Sequence, residues 1–228
     1  MQQSVISVVI PAYNEEKTIG EVISSTNSAM ENLRIPFEII VVDDGSTDNT
    51  RRIATRYKAT VLSNGKNQGK GYALKKGFQH AQGDIIVTID ADGAHRPNEI
   101  PHLINPLFNG VDIVAGSRFL GPGKDSTSRL NQFGNFVFNF VIMTLTGKYI
   151  TDSQTGFRAF KKEVLQKLNL ESVGYEIETE ITVKGLKNGF VFQEKPISCE
   201  KRKHSISKLK ILPDGIKIFK TIFRANFA

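Results

Sequence analysis

Three short apolar runs rich in β-branched residues, Val5 to Ile10, Ile39 to Val42 and Ile85 to Ile89, constrain this chain more than any other feature. Between the first two, Ile19, Val22, Ile23, Thr26 and Met30 recur at helical spacing. A strand, a helix and a second strand in that order make a β-α-β unit, whose crossover leaves the strands parallel. The alternation continues through Ile53 to Tyr57, Thr60 to Leu62, Ala73 to Ala81 and Ile113 to Ala115. Runs of this kind are covered on both faces. The expected class is therefore α/β, a mostly parallel sheet flanked by helices. The pattern also predicts helices at Phe133 to Leu145 and Glu178 to Leu186, a strand near Phe190 to Ile197, and a loop from Gly121 to Ser128. No repeat or linker interrupts the 228 residues, which are read as one domain.

The net charge of +7 favours an anionic partner: nucleic acid, a phosphorylated substrate or an acidic membrane surface. Cys199 is the sole cysteine, which excludes an internal disulfide and a thiolate metal site and fits a reducing compartment. The amino terminus lacks the basic and apolar blocks of a secretory signal. The greasiest stretch, Phe133 to Leu145, is broken by Asn135 and Asn139 and falls short of the roughly 20 residues that span a bilayer. The body is expected in the cytoplasm, with that stretch as a core or interfacial helix.

Ligands of such sheets bind beyond the carboxyl ends of the strands. There the first run meets Pro11, Ala12, Tyr13, Asn14 and Glu15, with Pro11 expected to stop the strand and Asn14 to cap the next helix. The second ends in Asp43, Asp44, Gly45, Ser46, Thr47 and Asp48. Capping accounts for Ser46 to Asp48 and leaves the two adjacent carboxylates unexplained. The run from Ile85 leads into Asp90, Ala91 and Asp92, and on an extended chain residues two apart project the same way. Paired carboxylate oxygens suit Mg²⁺ or Mn²⁺, which would bridge a diphosphate. Asn67 to Gly71 has neither the spacing nor the hydroxyl of a P-loop, and it fails the dinucleotide glycine pattern.

Together the segments Val9 to Glu15, Val41 to Thr50 and Asp90 to Pro97 resemble the donor-site signature of glycosyltransferase family 2. Gly116 to Arg118, Asp152 to Arg158, and Arg202 with Ser207, Lys208 and Leu209 extend the resemblance to its dolichyl-phosphate mannose and glucose synthase branch. The resemblance implies a GT-A fold and an inverting, metal-assisted hexosyl transfer from a nucleotide sugar to dolichyl or another polyprenyl phosphate. It implies that Pro11, Tyr13, Glu15 and Asp44 hold the nucleoside, with Lys70 beside the donor, and that Asp90 and Asp92 flank the metal and diphosphate. Arg118, Arg129, Arg202 and Lys208 would face phosphates, and Asp152, Gln154 and Ser207 would belong to the same acceptor region. Guanidinium forks match phosphate oxygens in charge and geometry. The chain departs from several mannose synthases at Ala94, where they carry a metal-binding glutamine, and adjacent His95 is a further candidate ligand. The donor stays open between GDP-mannose, UDP-glucose and UDP-N-acetylglucosamine, with Asp90 to His95 and Gln154 to Phe160 closer to the glucose type.

A phosphate acceptor is already anionic and needs no general base, provided cations suppress its repulsion from the donor. A saccharide or protein hydroxyl would need one. Glu178 is the candidate, although Glu176, Glu178 and Glu180 also read as a solvated acidic helix face. A non-catalytic nucleic-acid binder would suit the basic run Lys201 to His204, but the interleaved aromatics and recognised modules of such proteins are missing. At about 100° per residue, Ile216, Ile218, Phe219, Ile222 and Phe223 gather opposite Lys217, Lys220 and Arg224. A helix at about 213–225 is thus expected either to lie on an anionic membrane or to dock on the core, and a separate membrane anchor protein is compatible with either.

Overall fold

The computed structural model describes residues 4–121, 127–200 and 211–227. Their elements run β1 (Ile6–Ala12), α1 (Ile19–Leu33), β2 (Phe37–Asp43), α2 (Thr50–Arg56), β3 (Thr60–Ser63), α3 (Lys70–His80) and β4 (Ile85–Thr88). After these come α4 (Ile100–Ile104), β5 (Ile113–Ser117), α5 (Arg129–Thr146), β6 (Arg158–Lys161), α6 (Lys162–Lys167), α7 (Ile177–Lys187), β7 (Phe192–Pro196) and α8 (Ile211–Phe227). The strands form one sheet in the order β3-β2-β1-β4-β6-β5-β7. All neighbouring pairs are parallel except those of β6, which runs against both β4 and β5. The expected α/β class and mostly parallel sheet are both present. The sequence reading had no strand at Arg158–Lys161: its four residues alternate with too little contrast for a period to show.

Alternation along the strands divides the core. Ile6, Val8 and Ile10 of β1 join Ile19, Ile23 and Ile100 on one face, while Val9 joins Ile40, Leu74 and Ile177 on the other. A third apolar cluster, away from the sheet centre, packs α5, α7 and α8 together through Ile142, Val183, Ile218 and Ile222. Docking and exposure, posed as alternatives for the last helix, coexist on it. Ile218, Thr221, Ile222 and Ala225 are buried, whereas Leu212, Ile216, Phe219, Phe223 and Phe227 are exposed along another stripe.

Two local expectations are corrected. Pro11 does not stop β1, because it still pairs with Val42, and the ladder to β4 has already ended at Val9 and Thr88. By alternation its missing N–H falls on the β4 side, where no ladder bond is lost. Asn14 does not cap α1, which begins at Ile19. It sits in the left-handed region at φ 52°, donates its N–H to Ser46 Oγ and accepts from the Thr47 amide. Ser46 and Asp48 accordingly brace the neighbouring loop, with Asp48 accepting from the Glu16 amide as well as from Thr50.

On α3, Gly77 lets the helix lie directly against the sheet, since a methyl there would collide with Val9 and crowd Val42. Overpacking costs about 1–3 kcal/mol, against a helix-propensity gain of about 1 kcal/mol for alanine. Gly77→Ala should therefore lower unfolding free energy in a urea titration. A more stable variant would contradict this packing.

Candidate active site

Beyond the carboxyl ends of β1, β2 and β4 opens a cleft of about 990 Å³. Pro11, Tyr13, Glu15, Asp44, Lys70, Asp90, Asp92, Arg118 and Gln154 all line it. Nine predicted residues scattered over the chain are thus gathered in one place. Arg129 is exposed at the start of α5 and is absent from the lining, and Asp152 is wholly buried behind it. Arg202, Ser207 and Lys208 lie outside the described residues.

Asp44 builds the wall it belongs to. Its carboxylate accepts from Asn64 Nδ2 at 2.7 Å and from the amides of Gln68 and Gly69, which draws the loop before α3 under the end of β2. Gly69, at φ 102°, then passes the carbonyl of Val173 so closely that no side chain fits. The first residue of α3 is Lys70. Its ammonium lies 2.6 Å from Asp90 Oδ1 and 2.7 Å from Glu178 Oε1, with side chains largely withdrawn from water. Burial opposes the lysine charge, but the two carboxylates outweigh it and hold the ammonium protonated above the ordinary lysine range. Gly156 closes this arrangement from above, since a methyl there would meet both Asp90 and Lys70.

The acidic pair leaves the sheet differently from the sequence expectation. β4 ends at Thr88 and the chain turns at Ala91 and Asp92, so the side chains share the cleft because of a turn, not strand alternation. Asp92 Oδ1 fixes the turn by accepting from the Ala94 amide at 3.0 Å. His95 is buried beside them, with Nε2 4.0 Å from Asp90 Oδ2 and its ring against Phe157. Burial depresses its pKa and keeps the imidazole neutral. Among the described residues no three His, Cys, Asp or Glu side chains form a closed metal cage. Two carboxylates at a cleft wall instead fit a hard divalent ion that takes its other ligands from phosphate and water.

Arg118 is held at the end of β5. It makes two parallel bonds to Asp152, each 2.7 Å, and Asp152 also accepts the Arg118 amide. The segment carrying Asp152 is fastened from three sides. Glu194 accepts from the amides of Thr151 and Asp152, Asn135 and Asn139 of α5 donate to the Thr151 carbonyl, and Ser117 bonds the Thr151 hydroxyl at 2.6 Å. Asn135 and Asn139, which break the apolar run in the sequence, point inward, while Phe133, Phe136 and Phe140 point outward and are more than half exposed. Gln154 donates to Ser153 and Thr179, and the fully buried Arg158 ties the same segment to α7 through Ser153, Thr155 and Thr182.

The acidic face of α7 is not solvated: Glu176, Glu178 and Glu180 are all buried. Glu176 accepts from the amides of Val173 and Gly174, and Glu178 holds Lys70. Burial, only partly offset by Lys70, pushes the Glu178 carboxyl up. Burial raises Glu180 too, but Lys184 at 2.9 Å and the Ser172 and Glu171 amides outweigh it, so its pKa lies below the ordinary range. Nothing in the sequence separated these three roles, because each depends on what packs opposite the helix.

A carboxyl depressed by folding contributes stability that is present above its unfolded pKa, about 4.3, and lost as pH falls through the folded value. Glu180→Gln should therefore cost about 3 kcal/mol at neutral pH. The gap from the parent should narrow on acidification below about pH 4. A pH-independent gap in chemical denaturation would contradict this assignment.

A family model described as "Glycosyl transferase family 2" matches residues 7–168. The dolichol-phosphate mannosyltransferase of Pyrococcus furiosus is 35% identical over 213 residues, covering 90% of this chain and 59% of that protein. The UDP-N-acetylglucosamine–dolichyl-phosphate N-acetylglucosaminyltransferase of Methanococcus voltae is 34% identical over 244 residues, covering 96% and 95%. Among solved structures, the glucosyl-3-phosphoglycerate synthase from Mycobacterium tuberculosis in complex with Mg²⁺ and UDP matches with a TM-score of 0.80 at 26% identity, over 98% of this chain and 80% of that one. With the acidic strand ends gathered at one cleft and the family model spanning most of the sheet, this chain belongs to glycosyltransferase family 2 and is a glycosyltransferase of GT-A fold.

Proposed function

We propose that the protein transfers a hexose from a nucleotide-diphosphate sugar to a polyprenyl phosphate of the dolichyl type, with inversion at the anomeric carbon. One observation carries this reading. The cleft that begins at Asp44, Asp90 and Asp92 continues past Arg118 to the paired helices α5 and α8, reaching Leu130, Phe138 and Ile218. Its polar end suits a nucleotide diphosphate, and its far end lies between two helices with exposed apolar stripes. The two curated relatives described above, one a mannosyl and one an N-acetylglucosaminyl transferase, both name dolichol or dolichyl phosphate.

In this mechanism Pro11, Tyr13, Glu15 and Asp44 take the nucleoside, and Asp90 and Asp92 would hold Mg²⁺ or Mn²⁺. The ion supplies charge neutralisation at the departing nucleotide. Arg118, fixed by Asp152, presents its remaining donor surface to phosphate, so Asp152 acts through Arg118 and not on the substrate. On the family's pattern Arg202, Ser207 and Lys208 would also bind phosphate. A phosphate monoester has its second pKa near 6 and is anionic at neutral pH. It therefore attacks without a general base, and Glu178 is left to hold Lys70.

The lipid tail leaves the cleft along α5 and α8. No described helix is long and apolar enough to cross a membrane. The outward aromatics, Phe133, Phe136 and Phe140 on α5 and Phe219 and Phe223 on α8, instead rest in the interface, with the exposed Lys217 and Lys220 toward anionic headgroups. In this reading the enzyme works peripherally, at the cytoplasmic face of a membrane.

Purified protein with Mn²⁺ or Mg²⁺ and a short polyprenyl phosphate should turn over one of GDP-mannose, UDP-glucose or UDP-N-acetylglucosamine, with Asp92→Ala inactive. Donor hydrolysis without a lipid-linked sugar would move the acceptor to a hydroxyl. Arg118→Ala should lower kcat/KM by about 100-fold or more, and Glu178→Gln by less than about tenfold. The reverse ranking would favour a base-dependent hydroxyl acceptor. Phe136→Glu combined with Phe219→Glu should weaken sedimentation with anionic liposomes while leaving the melting temperature near that of the parent, and unchanged sedimentation would exclude these stripes as the contact.

A further inference from the structure

Lys70 occupies the position from which a cation neutralises Asp90. Its ammonium is 2.6 Å from Asp90 Oδ1, and Gly156 leaves room for nothing larger than hydrogen beside the pair. Two cations that draw on the same carboxylate cannot both have it at full strength. We propose that Lys70 competes with the divalent ion for Asp90, so that the empty enzyme binds the ion weakly and the nucleotide diphosphate, by drawing the ammonium away, makes ion and nucleotide bind as a unit. This rests on the reading of Asp90 and Asp92 as ligands of the ion.

Glu178 gives the competition its second position. It holds the same ammonium at 2.7 Å from the opposite side, on α7. When Asp90 turns to the ion, Lys70 retains one carboxylate and stays in the cleft, next to the incoming diphosphate. Asp90 and Glu178 therefore both favour ion binding, by different routes: one ligates the ion, and the other relieves it of a rival. Linkage makes the effect reciprocal, so the ion must raise nucleotide affinity by the same factor.

The test is Mn²⁺ binding followed by electron paramagnetic resonance, with no sugar or lipid present, and repeated with saturating UDP or GDP. Without nucleotide, Lys70→Met should tighten Mn²⁺ binding by about tenfold, a typical coupling factor, and Glu178→Gln should weaken it. The gain should vanish in an Asp90→Asn background, where there is no carboxylate to compete for. Saturating nucleotide should shrink the difference between Lys70→Met and the parent. Should Lys70→Met fail to fold with two facing carboxylates, the Lys70→Met/Glu178→Gln double variant removes that repulsion and should show the same tightening. Unchanged or weaker Mn²⁺ binding in either Lys70 variant would overturn the competition. If Asp90→Asn and Asp92→Asn both bind Mn²⁺ like the parent, the ligand assignment itself fails, which is a separate result.

Discussion

One buried ammonium joins the elements on which the cleft depends. Lys70 at the start of α3 reaches Asp90 after β4 and Glu178 on α7, elements far apart in the chain. Charges withdrawn from water persist only when paired in good geometry. The surroundings meet that demand with glycines: Gly69 and Gly71 let α3 approach the 172–174 backbone, and Gly156 leaves the space in which the ion pairs form. Asp44 prepares the same point by fixing the Gln68 and Gly69 amides. The Asp44 and Asp90 side of the cleft is in this sense a polar network closed around one cation.

The Arg118 side of the cleft rests on the Thr151 to Gln154 segment. Backbone amides there are taken by Glu194 and Asn139, a carbonyl by Asn135 and Asn139, and the product of that restraint is a fixed Arg118. The cost falls on α5, which turns its asparagines inward and its phenylalanines to the outside. A helix arranged this way is poorly suited to water on its outer face. It becomes sensible if that face meets lipid, which is how the polar task and the apolar surface of one helix belong to the same function.

The strand ends were legible because a parallel sheet puts ligands at one edge, and an acidic residue after a buried run has few other reasons to be there. Asp44, Asp90 and Asp92 were singled out by that argument, and Pro11, Arg118 and Gln154 by the family pattern. What the sequence concealed were pairings across the fold. Asp152 reads as part of the acceptor region until Arg118 is opposite it, and the inward side of α7 reads as solvated until Lys70, Lys184 and the 171–174 amides meet it. β6 was missed because four residues carry too little periodicity, although its antiparallel entry is what delivers Gly156 to the cleft.

The proposed reaction delivers sugar to a lipid phosphate and not to a hydroxyl, and phosphorus NMR of the reaction mixture reads that bond directly. With the competent donor and a polyprenyl phosphate, the acceptor monoester resonance should disappear in step with release of the nucleoside diphosphate, and a sugar phosphodiester resonance should replace it. An unchanged monoester resonance while the nucleotide is released would show that the sugar has gone elsewhere, and would contradict the proposed acceptor.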